Sequence, residues 1–316
     1  MTDVAAATAV TATAVAAEIA GRPECRHRAM AVETTALPAP GERVAVVGCG
    51  TPLHVARAYG VLRETAGAGE ADAFAASEYP SGRRYDRVPA ITRSGPTTEV
   101  LAAPARARAA GIPTTAVTGD PATPVATAAD ALVDLSFADG RSVVRTRFAT
   151  TALALLRTGL GLTPADLPEQ AAAATAATAA IAAEPPEDAL AAGQFTFPGA
   201  GRTVGPAGEA ALKLGEAAGA WTESYPAMEY RHGPVGGSGP DRPVRFPGGP
   251  PADLPDRVAA SGAQVAASGA RVASGRRDPL AEPVRARRLT VALAGAGGHD
   301  PDHPRNLTRS VVLDTP

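Results

Sequence analysis

The chain has 316 residues, with 30 Lys and Arg against 32 Asp and Glu, a formal net charge of −2, and 45% hydrophobic but only 4% aromatic residues. That length predicts about two domains whose cores are built from Ala, Val and Leu. The balanced charge excludes the basic excess of a nucleic-acid binder, and no run approaches the roughly twenty apolar residues of a membrane-spanning helix.

Residues 4–17 follow Asp3 rather than a basic cluster and are interrupted by threonines, so they read as mature chain and not as a signal peptide. Residues 44–47 (V-A-V-V) predict a buried strand that stops at Gly48 and Gly50, with a helix over about 54–65. The unit then repeats: a strand at 88–92, a turn at Ser94-Gly95, a helix over about 98–110, strands at 112–117 and 131–135, and a closing helix over 142–156. Short β-branched runs alternating with Ala-rich helices are the pattern of an α/β fold, a parallel sheet with helices on both faces. An Ala/Thr-rich helix over 168–183 links this unit to a second one, with Pro185-Pro186 as the boundary.

The second half predicts a strand at 194–197, the phrase G-A-G-R-T-V-G, and a helix over about 206–220. A Gly/Pro-rich segment runs from 233 to 255, residues 261–275 fit either a poor helix or a loop, and a last helix over about 280–294 precedes the tail. The expected organisation is a lead-in over 1–35, a first domain over 36–167, a linker over 168–186, and a second domain over 187–316 that includes the tail.

Two glycine/hydroxyl turns fall where a strand ends and a helix begins, the place where doubly wound sheets open a crevice. They are Gly48-Cys49-Gly50-Thr51 and Thr92-Arg93-Ser94-Gly95-Pro96-Thr97. Free N–H groups and partial positive charge at such helix starts hold a phosphate, and the hydroxyls of Ser94 and Thr97 would add donors. Both hydroxyls also suit simple helix capping.

In the second half, one lysine stands among the thirty basic residues, at Lys213, three positions before Glu216. That spacing puts both on one face of the predicted helix, either as a solvated ion pair or as a pair facing one substrate. A carboxylate such as Glu216 can move a proton between neighbouring carbons, His232 titrates near neutrality, and Lys213 can balance negative charge on an enediolate. Glu223 and Glu229 either orient His232 or face water. Cys25 and Cys49 have neither ligand spacing nor a disulfide framework, which fits a reducing cytosol, and His54, His299 and His303 form no metal set.

Taken in order, G-C-G-T, T-R-S-G-P-T-T-E-V, R-S-V-V-R-T-R-F-A-T-T, E-A-A-L-K-L-G-E, E-Y-R-H-G-P and the tail P-R-N-L-x-x-S-V resemble the sugar isomerase (SIS) domain family. The likeness is to the isomerase half of glucosamine-6-phosphate synthase and to related isomerases and deaminases of hexosamine phosphates. It covers about 36–316, strongly over 44–157 and 205–234. It implies two flavodoxin-like units of three αβα layers, a sugar-phosphate substrate, no metal or organic cofactor, no nucleic-acid or membrane partner, and a cytoplasmic homodimer. Phosphate-binding residues carried over are Thr51, Thr92, Arg93, Ser94 and Thr97. Catalytic residues carried over are Glu216, Lys213 and His232, the histidine reaching into the neighbouring subunit's site.

The chain departs from the family pattern at three places. Pro52 replaces a usual serine, Pro96 removes an N–H from the phosphate turn, and Arg309 stands where the synthase has a tail lysine. Arginine forms no Schiff base under ordinary conditions, though it can hold a hydroxyl or the phosphate. Asn306, the lone asparagine, is expected to anchor the tail. Residues 18–29 resemble the family's helical lead-in, and with Met1-Thr2-Asp3 at the start the chain is not expected to be the complete glutamine-using synthase. The expected activity is aldose–ketose isomerisation, with or without deamination, of a hexose or hexosamine 6-phosphate. The alternative is a non-catalytic sugar-phosphate sensor on the same fold.

Overall fold

The computed structural model describes residues 17–18, 21–140, 142–143, 147–162, 187–268 and 282–314. These form two compact units. One is built on 24–140, 147–162 and the tail from Thr308, the other on 187–307 with 17–18, 21–23 and 142–143. The expected linker helix at 168–183 lies outside the described residues. The tail groups with the first half of the chain rather than the second.

The first unit holds β1 (Val44–Gly48), β2 (Ala71–Ala75), β3 (Val88–Thr92), β4 (Thr114–Thr118) and β5 (Ala131–Asp134). Their order is β2-β1-β3-β4-β5, and every pairing is parallel. β1, β3 and β4 are buried along their whole length, as central strands of a parallel sheet are when helices cover both faces. The helices of this unit are α2 (Thr51–Thr65), α3 (Thr98–Ala109), α4 (Val125–Ala128) and α5 (Arg147–Gly159), preceded by α1 (Arg22–Ala29). Val100, Ala103 and Ala107 of α3 close one side of the core over Ala45, Val47, Val88 and Ala90. The amphipathic α5 packs on α2.

The second sheet repeats the plan with β6 (Gln194–Gly199), β7 (Trp221–Pro226), β8 (Val244–Pro247) and β9 (Val265–Ser268) in the order β7-β6-β8-β9, again parallel. Around it are α6 (Glu187–Leu190), α7 (Val204–Ala218), α8 (Leu254–Ala259) and α9 (Glu282–Ala296). Phe195 and Phe197 meet Ala207, Ala210, Ala211 and Leu214 of α7 and Leu289 of α9 on one face. Val244 and Phe246 meet Leu254 and Val258 of α8, together with Tyr230, on the other.

In each sheet the pairing at the topological switch point is the short one. β1 and β3 share only Val47–Ala90 and the isolated bridge Val44–Arg87, and β6 and β8 share only Thr196–Val244. Proline explains both. The Val88 N–H bonds Pro113 on the β4 side, so by alternation Pro89 would have to donate toward β1 and has no hydrogen to give. The Thr196 N–H bonds Pro243, which places Pro198 on the same side with the same deficit.

The structure corrects several expected elements. The closing helix begins at Arg147, and Ser142 and Val143 precede it outside helix. Strands β2, β7 and β8 were not anticipated: β2 (A-D-A-F-A) has no β-branched residue, β7 is a polar edge strand, and β8 ends in Pro247 inside the Gly/Pro-rich segment. Within the stretch 261–275, residues Val265–Ser268 form β9, and 269–275 lie outside the described residues.

Candidate functional site

The candidate residues fall in two groups, one in each unit. In the first unit, the ends of β1 and β3 flank the switch point of a 2-1-3-4-5 sheet, where such folds bind ligands. Gly50 enters α2 at φ 62°, and Pro52 sits in the helix's first turn, where its missing N–H costs no helical bond. Gly48 is required beneath it, because a Cβ there would stand 2.7 Å from the Pro52 Cβ. Gly95 adopts φ +86°, and a Cβ would collide with the Thr123 hydroxyl.

The hydroxyls divide into two kinds. Thr92 Oγ1 accepts a 3.1 Å hydrogen bond from the Gly95 N–H and so shapes its own turn. Thr51 Oγ1 and Ser94 Oγ are buried with no hydrogen-bond partner, and Thr97, although it stands at the N-cap of α3, makes no side-chain capping bond. Capping therefore does not explain Ser94 or Thr97. A buried hydroxyl without a partner costs about 1–3 kcal/mol unless something binds it.

Arg93 and Arg309 converge on one acid. Arg93 Nε lies 2.6 Å from Asp139 Oδ1 and its guanidinium also donates to the Gly140 carbonyl. Arg309 donates to Asp139 Oδ2 at 2.7 Å and to the same Gly140 carbonyl at 3.0 Å. The tail continues over α3: the Thr98 N–H donates to Val311 at 3.2 Å, and the Leu313 N–H donates to Thr98 Oγ1 at 2.9 Å. Sequence reasoning missed Asp139, whose partners lie far away in the chain. Asn306, just before this segment, has φ 60°, a left-handed conformation that asparagine tolerates, which accounts for it structurally.

In the second unit, α7 carries Glu209, Lys213 and Glu216 at spacings of four and three, one stripe of the helix. Lys213 Nζ donates to Glu216 Oε2 at 2.6 Å, with side-chain exposures of 1% and 20%. The pair is thus not a solvated one. Glu209 is the first residue of the E-A-A-L-K-L-G-E stretch. Its burial pushes its carboxyl up from 4.5 to about 7, against the opposing pull of Lys213 and Arg22 and with the help of Glu216.

The structure does not bring His232 to this pair. Thr222, at the start of β7, bonds the Ala211 carbonyl of α7, on the sheet face that Phe195 and Phe197 line. His232 ends a 3₁₀ turn, Glu229–His232, whose Tyr230 packs with Val244 and Phe246 beside Thr196 on the opposite face. His232 itself is exposed. Glu223 lies against Tyr225 and Glu229 is exposed. His303 bonds Asp300 at 3.0 Å, and the described residues include no group of three metal-ligating side chains. No helix among them is long and apolar enough to cross a membrane. A surface groove of about 780 Å³ lined by Arg108, Ile112, Pro113 and Asp130 lies at the opposite, N-terminal edge of the first sheet and holds no candidate residue.

Solved structures share this fold across nearly the whole chain. Glucosamine-6-phosphate deaminase from Thermotoga maritima is 20% identical over 95% of this chain and 100% of that chain, with a TM-score of 0.74. Tagatose-6-phosphate ketose/aldose isomerase from Escherichia coli is 17% identical over 97% and 98%, with a TM-score of 0.75. The C-terminal domain of glucosamine-fructose-6-phosphate aminotransferase from Francisella tularensis is 18% identical over 93% and 98%, with a TM-score of 0.70. No protein-family model and no curated protein matches the chain. The expected likeness to sugar isomerase structures holds at the level of the fold.

Proposed function

We propose that the protein binds a hexose or hexosamine 6-phosphate and interconverts its aldose and ketose forms by proton transfer through an enediol or enediolamine, with loss of ammonia as the variant for a 2-amino sugar. The phosphate sits at the β1/β3 crevice on the hydroxyls of Thr51, Ser94 and Thr97, with Thr92 shaping the turn and Arg93 and Arg309 supplying positive charge. Glu216 carries the proton between C1 and C2. Lys213 balances the charge that develops on the enediolate oxygen. His232 of the partner subunit opens the sugar ring, a homodimer being favoured because His232 and Lys213 lie on opposite faces of the second sheet within one copy.

The observation that carries this reading is the burial of the chain's one lysine against Glu216, an arrangement that a surface ion pair does not need. The solved enzymes of the same fold, named for sugar phosphates, support it. Proton NMR in deuterated water with fructose 6-phosphate, glucosamine 6-phosphate and galactosamine 6-phosphate tests it directly. Loss of the C1 or C2 proton signals is expected with at least one sugar, and Glu216→Gln should abolish it while sugar-phosphate binding persists. Unchanged washout in the variant overturns the assignment.

A second reading, a non-catalytic sensor, draws on one observation. Arg309, in the place of the expected tail lysine, is committed to Asp139 and Gly140. Binding of a sugar phosphate without washout in any of the three would favour it.

A further inference from the structure

His232 ends the 3₁₀ turn Glu229–His232 and is itself exposed, so the place of its imidazole depends on how firmly that turn is held. Tyr230 is the first anchor. Its buried ring packs with Val244, Phe246 and Leu254, and its hydroxyl shares a 2.7 Å hydrogen bond with Ser238 Oγ. Arg231 reaches the loop after β8 instead: Nη1 donates to Asp253 Oδ2 at 2.9 Å, and Nη2 donates to Asp253 Oδ1 and to the Ala252 carbonyl, each at 2.7 Å. Three bonds to three acceptors fix the plane of the guanidinium. Asp253 is committed in return. It stands at the N-cap of α8 with φ 61°, a left-handed conformation, and makes no side-chain capping bond, although an aspartate there ordinarily caps its own helix. Because its side chain is 73% exposed, the ion pair adds little to stability, and holding the fold together does not explain the geometry.

We propose that Arg231 is a positioning residue for His232: clamped to Asp253 and Ala252, it fixes the turn that presents the imidazole for ring opening. Tyr230 alone leaves the turn free to rotate about one buried anchor. Arg231 supplies a second anchor, next to His232 in the chain, and ties the turn to α8, whose Leu254 and Val258 are fully buried. With three residues per 3₁₀ turn, side chains project about 120° apart and those three positions apart eclipse. Tyr230 takes the core direction and Arg231 the direction of Asp253, which leaves the third to Glu229 and His232, both exposed. Ring opening breaks the bond between the anomeric carbon and the ring oxygen, with one proton leaving the anomeric hydroxyl and one reaching the ring oxygen. The imidazole must be held within hydrogen-bond reach of those oxygens, which a swinging turn does not provide. The chemical role of His232 rests on the function proposed above, but the clamp on its turn does not.

Two conservative variants test the clamp. Arg231→Lys keeps the charge and loses the fork, and Asp253→Asn keeps a left-handed backbone that asparagine tolerates and loses the charge. Amide hydrogen exchange reads the turn without substrate, at the Arg231 N–H that bonds the Met228 carbonyl at 3.1 Å. Exchange should be about tenfold faster in each variant and no faster in the double variant, with the melting temperature unchanged. Equal exchange in wild type and variants overturns the proposal, whichever sugar is turned over. Washout is the second readout, with fructose 6-phosphate compared to 5-deoxyfructose 6-phosphate, which lacks the hydroxyl that closes the ring and stays open. Each variant should lower kcat about tenfold on the first at nearly constant KM and leave washout from the second unchanged. An equal loss on both sugars would mark the clamp as merely structural and overturn its link to His232. Faster exchange in the variants with no washout in wild type would sink the proposed reaction and leave the clamp intact; washout with equal exchange would do the reverse.

Discussion

Thr51 and Ser94 are hydroxyls that the fold buries without using, and this separates binding from stability. Replacing either hydroxyl by an apolar group removes no protein hydrogen bond, so Thr51→Val and Ser94→Ala should leave stability unchanged or raise it by about 1 kcal/mol. The same changes should weaken binding of inorganic phosphate about tenfold each, by loss of one charge-assisted bond of about 1.5 kcal/mol. Thermal unfolding and titration calorimetry read the two effects, and a loss of stability with binding unchanged would mark these hydroxyls as structural. Glu209 makes the opposite trade. Its carboxyl is raised from 4.5 to about 7 in the folded protein, so the stability that its neutral form allows is fully present below pH 4.5 and is lost as pH rises through about 7. The loss amounts to about 3 kcal/mol at most. Urea unfolding across this range should show it in wild type and not in Glu209→Gln; identical pH slopes would refute it.

At the scale of elements, two devices shape the first crevice. The turn after β3 depends on Gly95, where any side chain meets both a positive φ and the Thr123 hydroxyl. Gly95→Ala should cost about 2–4 kcal/mol and show as a lowered urea midpoint. The tail is the second device, tied down through Asp139, which binds Arg309 and Arg93 together. Asp139→Asn keeps the shape but removes the shared charge, so it should speed proteolysis of the tail from Thr308 onward; cleavage at the wild-type rate would show that the backbone bonds to Thr98 suffice. Much of this scale was legible in advance. The strand–turn–helix order placed Ser94, Thr97, Lys213 and Glu216 on their elements, because periodicity and glycine position are local properties. Strands β2 and β7 were not legible, since short alanine-rich or polar edge strands are selected by their neighbours in the sheet rather than by β propensity, and β8 was masked by the Gly/Pro-rich composition around its four residues.

For the whole molecule, the opposite-face placement of His232 and Lys213 has a consequence for assembly. If the histidine serves the site of the other subunit, the inactive variants His232→Ala and Glu216→Gln should complement when refolded together, restoring about a quarter of wild-type washout, one intact site in half of the dimers. A mixture as inactive as its components would rule out a site shared between subunits in this way. The sequence by itself determined the α/β class, the position of each glycine/hydroxyl turn at a strand end, and the pairing of Lys213 with Glu216, because each depends on residues a few positions apart. Only the tertiary structure decided which hydroxyls are left without partners, that Arg309 shares Asp139 with Arg93 from 216 positions earlier in the chain, and that Glu209 is buried deeply enough to hold its proton near neutrality. Those properties arise from desolvation and from contacts between distant segments, which no local pattern encodes.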